Sequence, residues 1–119
     1  SSKVAEIENI GYRASFLKEL ATAEKSAQVG CVPSMNESLK TAIMYAQKVG
    51  EDISDRVAEI KKSAYQTCVE RELADAKKSA ENGGDILMEN SLKIAEKYAQ
   101  QLGQDISSKV AEIRGLFQK

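Results

Sequence analysis

The sequence predicts an all-α protein, and three observations carry that expectation. The first is composition: 119 residues with 42% hydrophobic and 29% charged side chains and a single proline, a balance typical of helical globular chains rather than disordered ones. The second is periodicity, because apolar residues recur at spacings of three and four, which places them on one side of a helix. The third is duplication. The phrase "SSKVAEI" occupies residues 1–7 and returns at 107–113, with "SDRVAEI" at 54–60, so the intervals are 54 − 1 = 53 and 107 − 54 = 53.

The duplication extends well past that phrase. Residues 1–53 align with 54–106 without a gap, and roughly half of the positions are identical, which points to tandem copies of one unit. Tyr12 returns as Tyr65, "ELA" at 19–21 as 72–74, and the G-x-D-I ending at 50–53 as 103–106. The expected organisation is one helical repeat domain over 1–119. Repeat 1 covers 1–53, repeat 2 covers 54–106, and a partial repeat covers 107–119.

Each unit reads as a long helix followed by a short one, giving expected helices near 3–29, 34–49, 53–82, 86–102 and 105–117. In the short segments Leu39, Ala42, Ala46 and Val49 repeat as Leu92, Ala95, Ala99 and Leu102, an apolar stripe expected in the core. Gly50 and Gly103 stand where a left-handed helix terminus is favoured, Asp52 and Asp105 where an N-cap is. Gly30 and Gly83 are expected to end the long helices. Ser34 with Glu37 reads as a capping box after Pro33, and Asp85 as the corresponding cap in the second unit. The long helices carry Val57, Ile60 and Ala64 in one half and Leu73, Ala76 and Ala80 in the other. At about 1.5 Å per residue such a rod can serve two neighbours, the logic of helical solenoids and bundles.

The alternation of helix pairs in "SLKTAIMYAQKVG" and "SLKIAEKYAQQLG" resembles the tetratricopeptide class of helical-hairpin repeats. That family repeats at about 34 residues, against about fifty in this sequence. The resemblance implies a helical surface that binds peptides or proteins.

The chemical inventory narrows the function classes. The chain contains no histidine, which removes Ser-His-Asp and Cys-His nucleophiles and imidazole metal sites. No enzyme activity, cofactor or metal is therefore expected. Gly83-Gly84 is too short for a phosphate loop and is followed by Asp85. Glu6, Glu59 and Glu112 recur with the repeat and read as a solvated helix face. Net charge is −1, and basic residues pair only as Lys61-Lys62 and Lys77-Lys78, too sparse for a nucleic-acid surface. No apolar run reaches membrane-spanning length, so a soluble chain is expected, with a cytoplasmic or secreted location both open. The absence of an initiator methionine suggests processing or excision from a longer repeat protein.

Three groups remain as candidates. Val4 and Ile7 belong to a phrase that should lie against an upstream helix, and no upstream helix precedes them in this sequence. They need another repeat, a second subunit, or a fold-back of the chain at Gly11. Tyr12, Tyr45, Tyr65 and Tyr98 form two repeat-related pairs, suited to packing between helices or to a partner surface. Cys31 and Cys68 break the repeat, aligning with Gly84 and Ser15. Hairpin register brings them level within a turn, so they read as a disulfide closing a loop of 68 − 31 = 37 residues, or as two free thiols. The preferred function is a non-enzymatic module for protein–protein interaction or self-assembly. The alternative is a carrier of a small apolar ligand or lipid between helices.

Overall fold

The computed structural model describes residues 2–118. Among them the fold is all-α: α1 (Ser2–Gln28), α2 (Val32–Lys48), α3 (Ser54–Glu81), α4 (Asp85–Leu102) and α5 (Ser107–Phe117), with no strand. Long helices of 27 and 28 residues alternate with short ones of 17 and 18. The spans match those expected from periodicity to within a few residues.

The helix ends explain why the boundaries were legible. Gly30, Gly50, Gly83 and Gly103 all adopt positive φ, between 68° and 76°, a region costly for residues that carry a Cβ. Each then permits the same closure. After α2, Gly50 N–H donates to Gln47 O at 3.2 Å and Glu51 N–H to Ala46 O at 3.0 Å; after α4, Gly103 and Gln104 repeat this with Gln100 and Ala99. These are Schellman closures, which satisfy carbonyls that the last turn leaves open.

The helix starts differ from expectation. Helix α2 begins at Val32, two residues before Ser34, with Cys31 as N-cap and no side-chain cap bond. Pro33 falls in the first turn, where its missing N–H costs nothing. Ser34 instead hydrogen-bonds Ser26 Oγ at 2.9 Å, so there is no capping box with Glu37. Asp85 is likewise the first helical residue, preceded by Gly84 as N-cap. Asp52 and Asp105 do hold the starts of α3 and α5, but from one position further out. Their Oδ1 atoms accept the backbone N–H of Ser54 and Ser107, each at 2.9 Å, together with the Ser hydroxyls.

The chain divides into two compact units, Ser1–Ala64 and Tyr65–Lys119. In the first, α1 packs on α2, burying Phe16, Leu20, Ala23 and Ala27 from α1 and Met35, Leu39, Ala42 and Ala46 from α2. The start of α3 joins this unit. Val57 and Ile60 are buried, and Arg56 Nε bonds Glu24 of α1 at 2.9 Å. In the second unit the core gathers Ala76 and Ala80 of α3, Met88 and Leu92 of α4, and Val110 and Ile113 of α5. Leu73, Ile106, Leu116 and Phe117 pack around it. Alanines opposite Met and Leu let the helices approach closely while the longer side chains fill the space between.

Helix α1 runs unbroken through Gly11. The fold-back at that glycine, one of the covers envisaged for Val4 and Ile7, does not occur, since one missing Cβ weakens a long helix without ending it.

Candidate interaction surface

The three copies of the V-A-E-I phrase share their local sequence and differ in surroundings. Val57 and Ile60 are 8% and 4% exposed, Val110 and Ile113 5% and 7%, but Val4 and Ile7 are 54% and 69% exposed. Local propensity is the same in all three, so the difference comes from what lies against each helix.

The exposed face of α1 is wider than the phrase. Ile10 and Leu17 are also exposed, at 69% and 49%. At 100° per residue, Val4, Gly11, Ile7, Ala14, Ile10 and Leu17 fall within an arc of about 140°. Phe16, Leu20, Ala23 and Ala27, which α1 buries, project from nearly the opposite side. Between Val4 and Leu17 the helix thus presents an apolar strip, flanked on the same arc by Lys3 and Lys18, besides the face it buries. Val4 and Ile7 are candidates from the sequence; Ile10 and Leu17 are not among them. The available signal was the repeat itself, because their counterparts 53 residues on are Ser63 and Glu70. The same contrast sets exposed Ile43 and Met44 of α2 against Glu96 and Lys97. At these positions the first unit carries apolar side chains where the second carries polar ones.

The tyrosines come together as two stacked pairs, one in each unit. Tyr12 and Tyr45 have ring centroids 6.0 Å apart and Tyr65 and Tyr98 5.4 Å, with planes inclined by 25° and 23°. All four are half-buried, so their rings join long helix to short helix, with offset-stacked geometry that adds to simple burial. Lys48 Nζ lies 5.4 Å from the Tyr12 ring and Lys97 Nζ 5.8 Å from the Tyr98 ring. Burial pushes the Tyr98 hydroxyl above the usual phenol range, and the Cys68 thiol and Tyr65 add to the shift while Arg71 opposes it.

Beside each pair lies a polar tie that changes chemistry between copies. Arg13 forms an ion pair with Glu51; 53 residues later the corresponding Gln66 accepts a hydrogen bond from Gln104 at 2.7 Å. Both partners change together, so neither unit strands one charge.

The disulfide is not formed. Neither cysteine is bridged: Cys31 is exposed at the N-cap of α2, and Cys68 is buried within α3, with Arg71 Nη2 3.6 Å from its sulfur. The hairpin register compares positions along helices and takes no account of burial, and Cys68 is 1% exposed while Cys31 is open to solvent.

Among the described residues no group of three His, Cys, Asp or Glu side chains is placed to hold a metal. None of the described helices is long and apolar enough to cross a membrane. A cleft of about 790 Å³ lies between α4 and α5, open to solvent and bordered by Lys93, Glu96, Lys97 and Asp105. A smaller one of about 340 Å³ in the first unit is lined by Ile43, Ala46, Ile53 and Val57. No family model, curated protein or solved structure matches this chain.

Proposed function

We propose that this chain is a non-enzymatic tandem-repeat module, built of two long-helix/short-helix units and a terminal helix, that associates with another protein or with itself through the apolar face of α1. One observation carries the reading: Ile7 is 69% exposed while Ile60 and Ile113, in the same local phrase, are 4% and 7% exposed. Ile10 and Leu17 extend that face where the second copy is polar, and contiguous exposed apolar surface on a folded chain is characteristic of interaction sites. A helix presenting apolar side chains at i, i+3 and i+7 suits helix-in-groove recognition. The likeness to tetratricopeptide-type hairpins supports the same reading by analogy of architecture.

A carrier of small apolar ligands is the weaker alternative. The larger cleft is open and bordered by charges, whereas small-molecule sites are concave and largely enclosed.

The test combines affinity capture from the source organism with sedimentation velocity, comparing the native chain with Val4→Asp/Ile7→Asp. Circular dichroism establishes that the fold is intact. Loss of association in the double variant is the expected result. Association of equal strength in both chains would remove α1 as the contact face.

A further inference from the structure

The structure shows what covers this phrase in the second unit, and that cover identifies an occupant for α1. Residues 107–113, identical in sequence to 1–7, form the first two turns of α5. There Val110 and Ile113 are seated against Ala76 and Ala80 of α3 and Met88 and Leu92 of α4, with Leu116 packed alongside. The offset between the copies is 107 − 1 = 106, so Val110, Ile113 and Leu116 correspond to Val4, Ile7 and Ile10. Ile10 is the exposed residue that the middle copy replaces with Ser63. On α1 it restores the third apolar contact that α5 makes with Leu116.

We propose that the α1 face docks into the α3–α4 groove of a second copy of this chain, taking the seat of α5, and that α5 is the intramolecular cap that keeps this head-to-tail contact closed. The proposal rests on the reading of α1 as an interaction face and names its partner.

Two features favour α5 as the resident. It is tethered to the groove through the short segment Gly103–Ile106, so it competes at an effective concentration on the order of millimolar. It also carries Arg114, whose Nε and Nη2 each contact a Glu89 carboxylate oxygen at 2.9 Å. In α1 the corresponding residue is Glu8, which would meet Glu89 as a like charge. Among the described residues two copies of the phrase are enclosed, at Val57–Ile60 and Val110–Ile113, and one is exposed, at Val4–Ile7, so exchange among intact copies trades one seated phrase for another. Assembly should follow only when α5 is unseated.

The experiment is sedimentation velocity on the 119-residue chain. Val110→Asp/Ile113→Asp, which unseats α5, should form oligomers that lengthen with concentration, while the native chain does so at least about tenfold less readily. Adding Val4→Asp/Ile7→Asp should return the oligomers to monomers. Adding Glu89→Lys to the α5 variant, which places a cation opposite Glu8, should tighten assembly about threefold or more, and Glu8→Lys should reverse that gain. A folded, monomeric α5 variant at about 1 mM, the tether's own concentration scale, would overturn the proposal. If the α5 variant fails to fold, a labelled peptide of residues 2–18 is titrated into the native chain and into Glu89→Lys. With peptide up to about 1 mM, binding strengthened by Glu89→Lys and lost with Val4→Asp/Ile7→Asp in the peptide supports the proposal; no binding to the Glu89→Lys chain at that concentration defeats it. If captured partners still depend on Val4 and Ile7 while the groove experiments fail, the α1 interaction reading stands and only the identity of the occupant falls.

Discussion

Replacing the same isoleucine by alanine in each of the three copies measures tertiary environment with local sequence held nearly constant. Ile60→Ala and Ile113→Ala remove side chains only 4% and 7% exposed. Three buried carbons at about 0.8 kcal/mol each give about 2.4 kcal/mol of transfer free energy, and an incompletely collapsed cavity raises this to about 3 kcal/mol. Ile7 is 69% exposed, so roughly a third of that transfer term, about 0.8 kcal/mol, is at stake. Alanine's better helix propensity returns about 0.4 kcal/mol, leaving a cost near 0.4 kcal/mol. Urea unfolding, resolved along the chain by amide hydrogen exchange, provides the assay. It is run at concentrations where the chain sediments as a monomer, because association would itself bury Ile7. A cost at Ile7 above about 1.5 kcal/mol under those conditions, or one at Ile60 below about 1 kcal/mol, would contradict the burial values on which the reasoning stands.

The glycines should respond in opposite directions: Gly11→Ala, with nothing within 4 Å of the added Cβ, stabilises α1 by about 0.4–1 kcal/mol, whereas Gly103→Ala, at φ +68°, costs about 1–2 kcal/mol, both read from thermal unfolding. Asp52 and Asp105 have carboxyl pKa values held below the usual range, first by the hydroxyls and then by the backbone N–H groups of Ser54 and Ser107. Their contribution is therefore present above the unfolded-state value near 3.9 and is lost as pH falls through the lower folded value. Asp52→Asn/Asp105→Asn should flatten the acid limb of a stability–pH profile below about pH 4, leaving the neutral region with little slope. A thiol reagent should modify Cys31 at once and Cys68 only on unfolding, and one rapid equivalent per native chain is the readout. Arg13→Gln/Glu51→Gln, which imports the amide pair of the second unit, should be near neutral, with a double-mutant coupling below about 1 kcal/mol that fades in high salt because the ion pair is exposed.

The candidate surface was partly legible because repeats are informative where they agree and also where they fail. Val4 and Ile7 stood out as a copy of the phrase whose other two copies, Val57–Ile60 and Val110–Ile113, each follow a short helix. Ile10 and Leu17 required the opposite comparison, apolar residues set against Ser63 and Glu70, and were overlooked because a single exposed aliphatic residue is ordinary on a protein surface. The 53-residue period relates Tyr12 to Tyr65 and Tyr45 to Tyr98, whereas the rings that stack are Tyr12 with Tyr45 and Tyr65 with Tyr98, a pairing set by how long and short helices face each other within each unit. Axial register alone is why the cysteines looked bridgeable, since it carries no information on burial, and Cys68 is buried while Cys31 is exposed.

The sequence by itself determined where the helices run and stop, because those outcomes are local: apolar spacing of three and four, glycine at each left-handed terminus, and an aspartate two residues before Ser54 and Ser107, which open α3 and α5. Tertiary structure alone decided the fate of the repeated phrase. Identical residues at 1–7 and 107–113 have identical helical preferences, yet Ile7 lies open and Ile113 is enclosed, since burial depends on what packs against a helix, and the helix's own letters do not encode its neighbour.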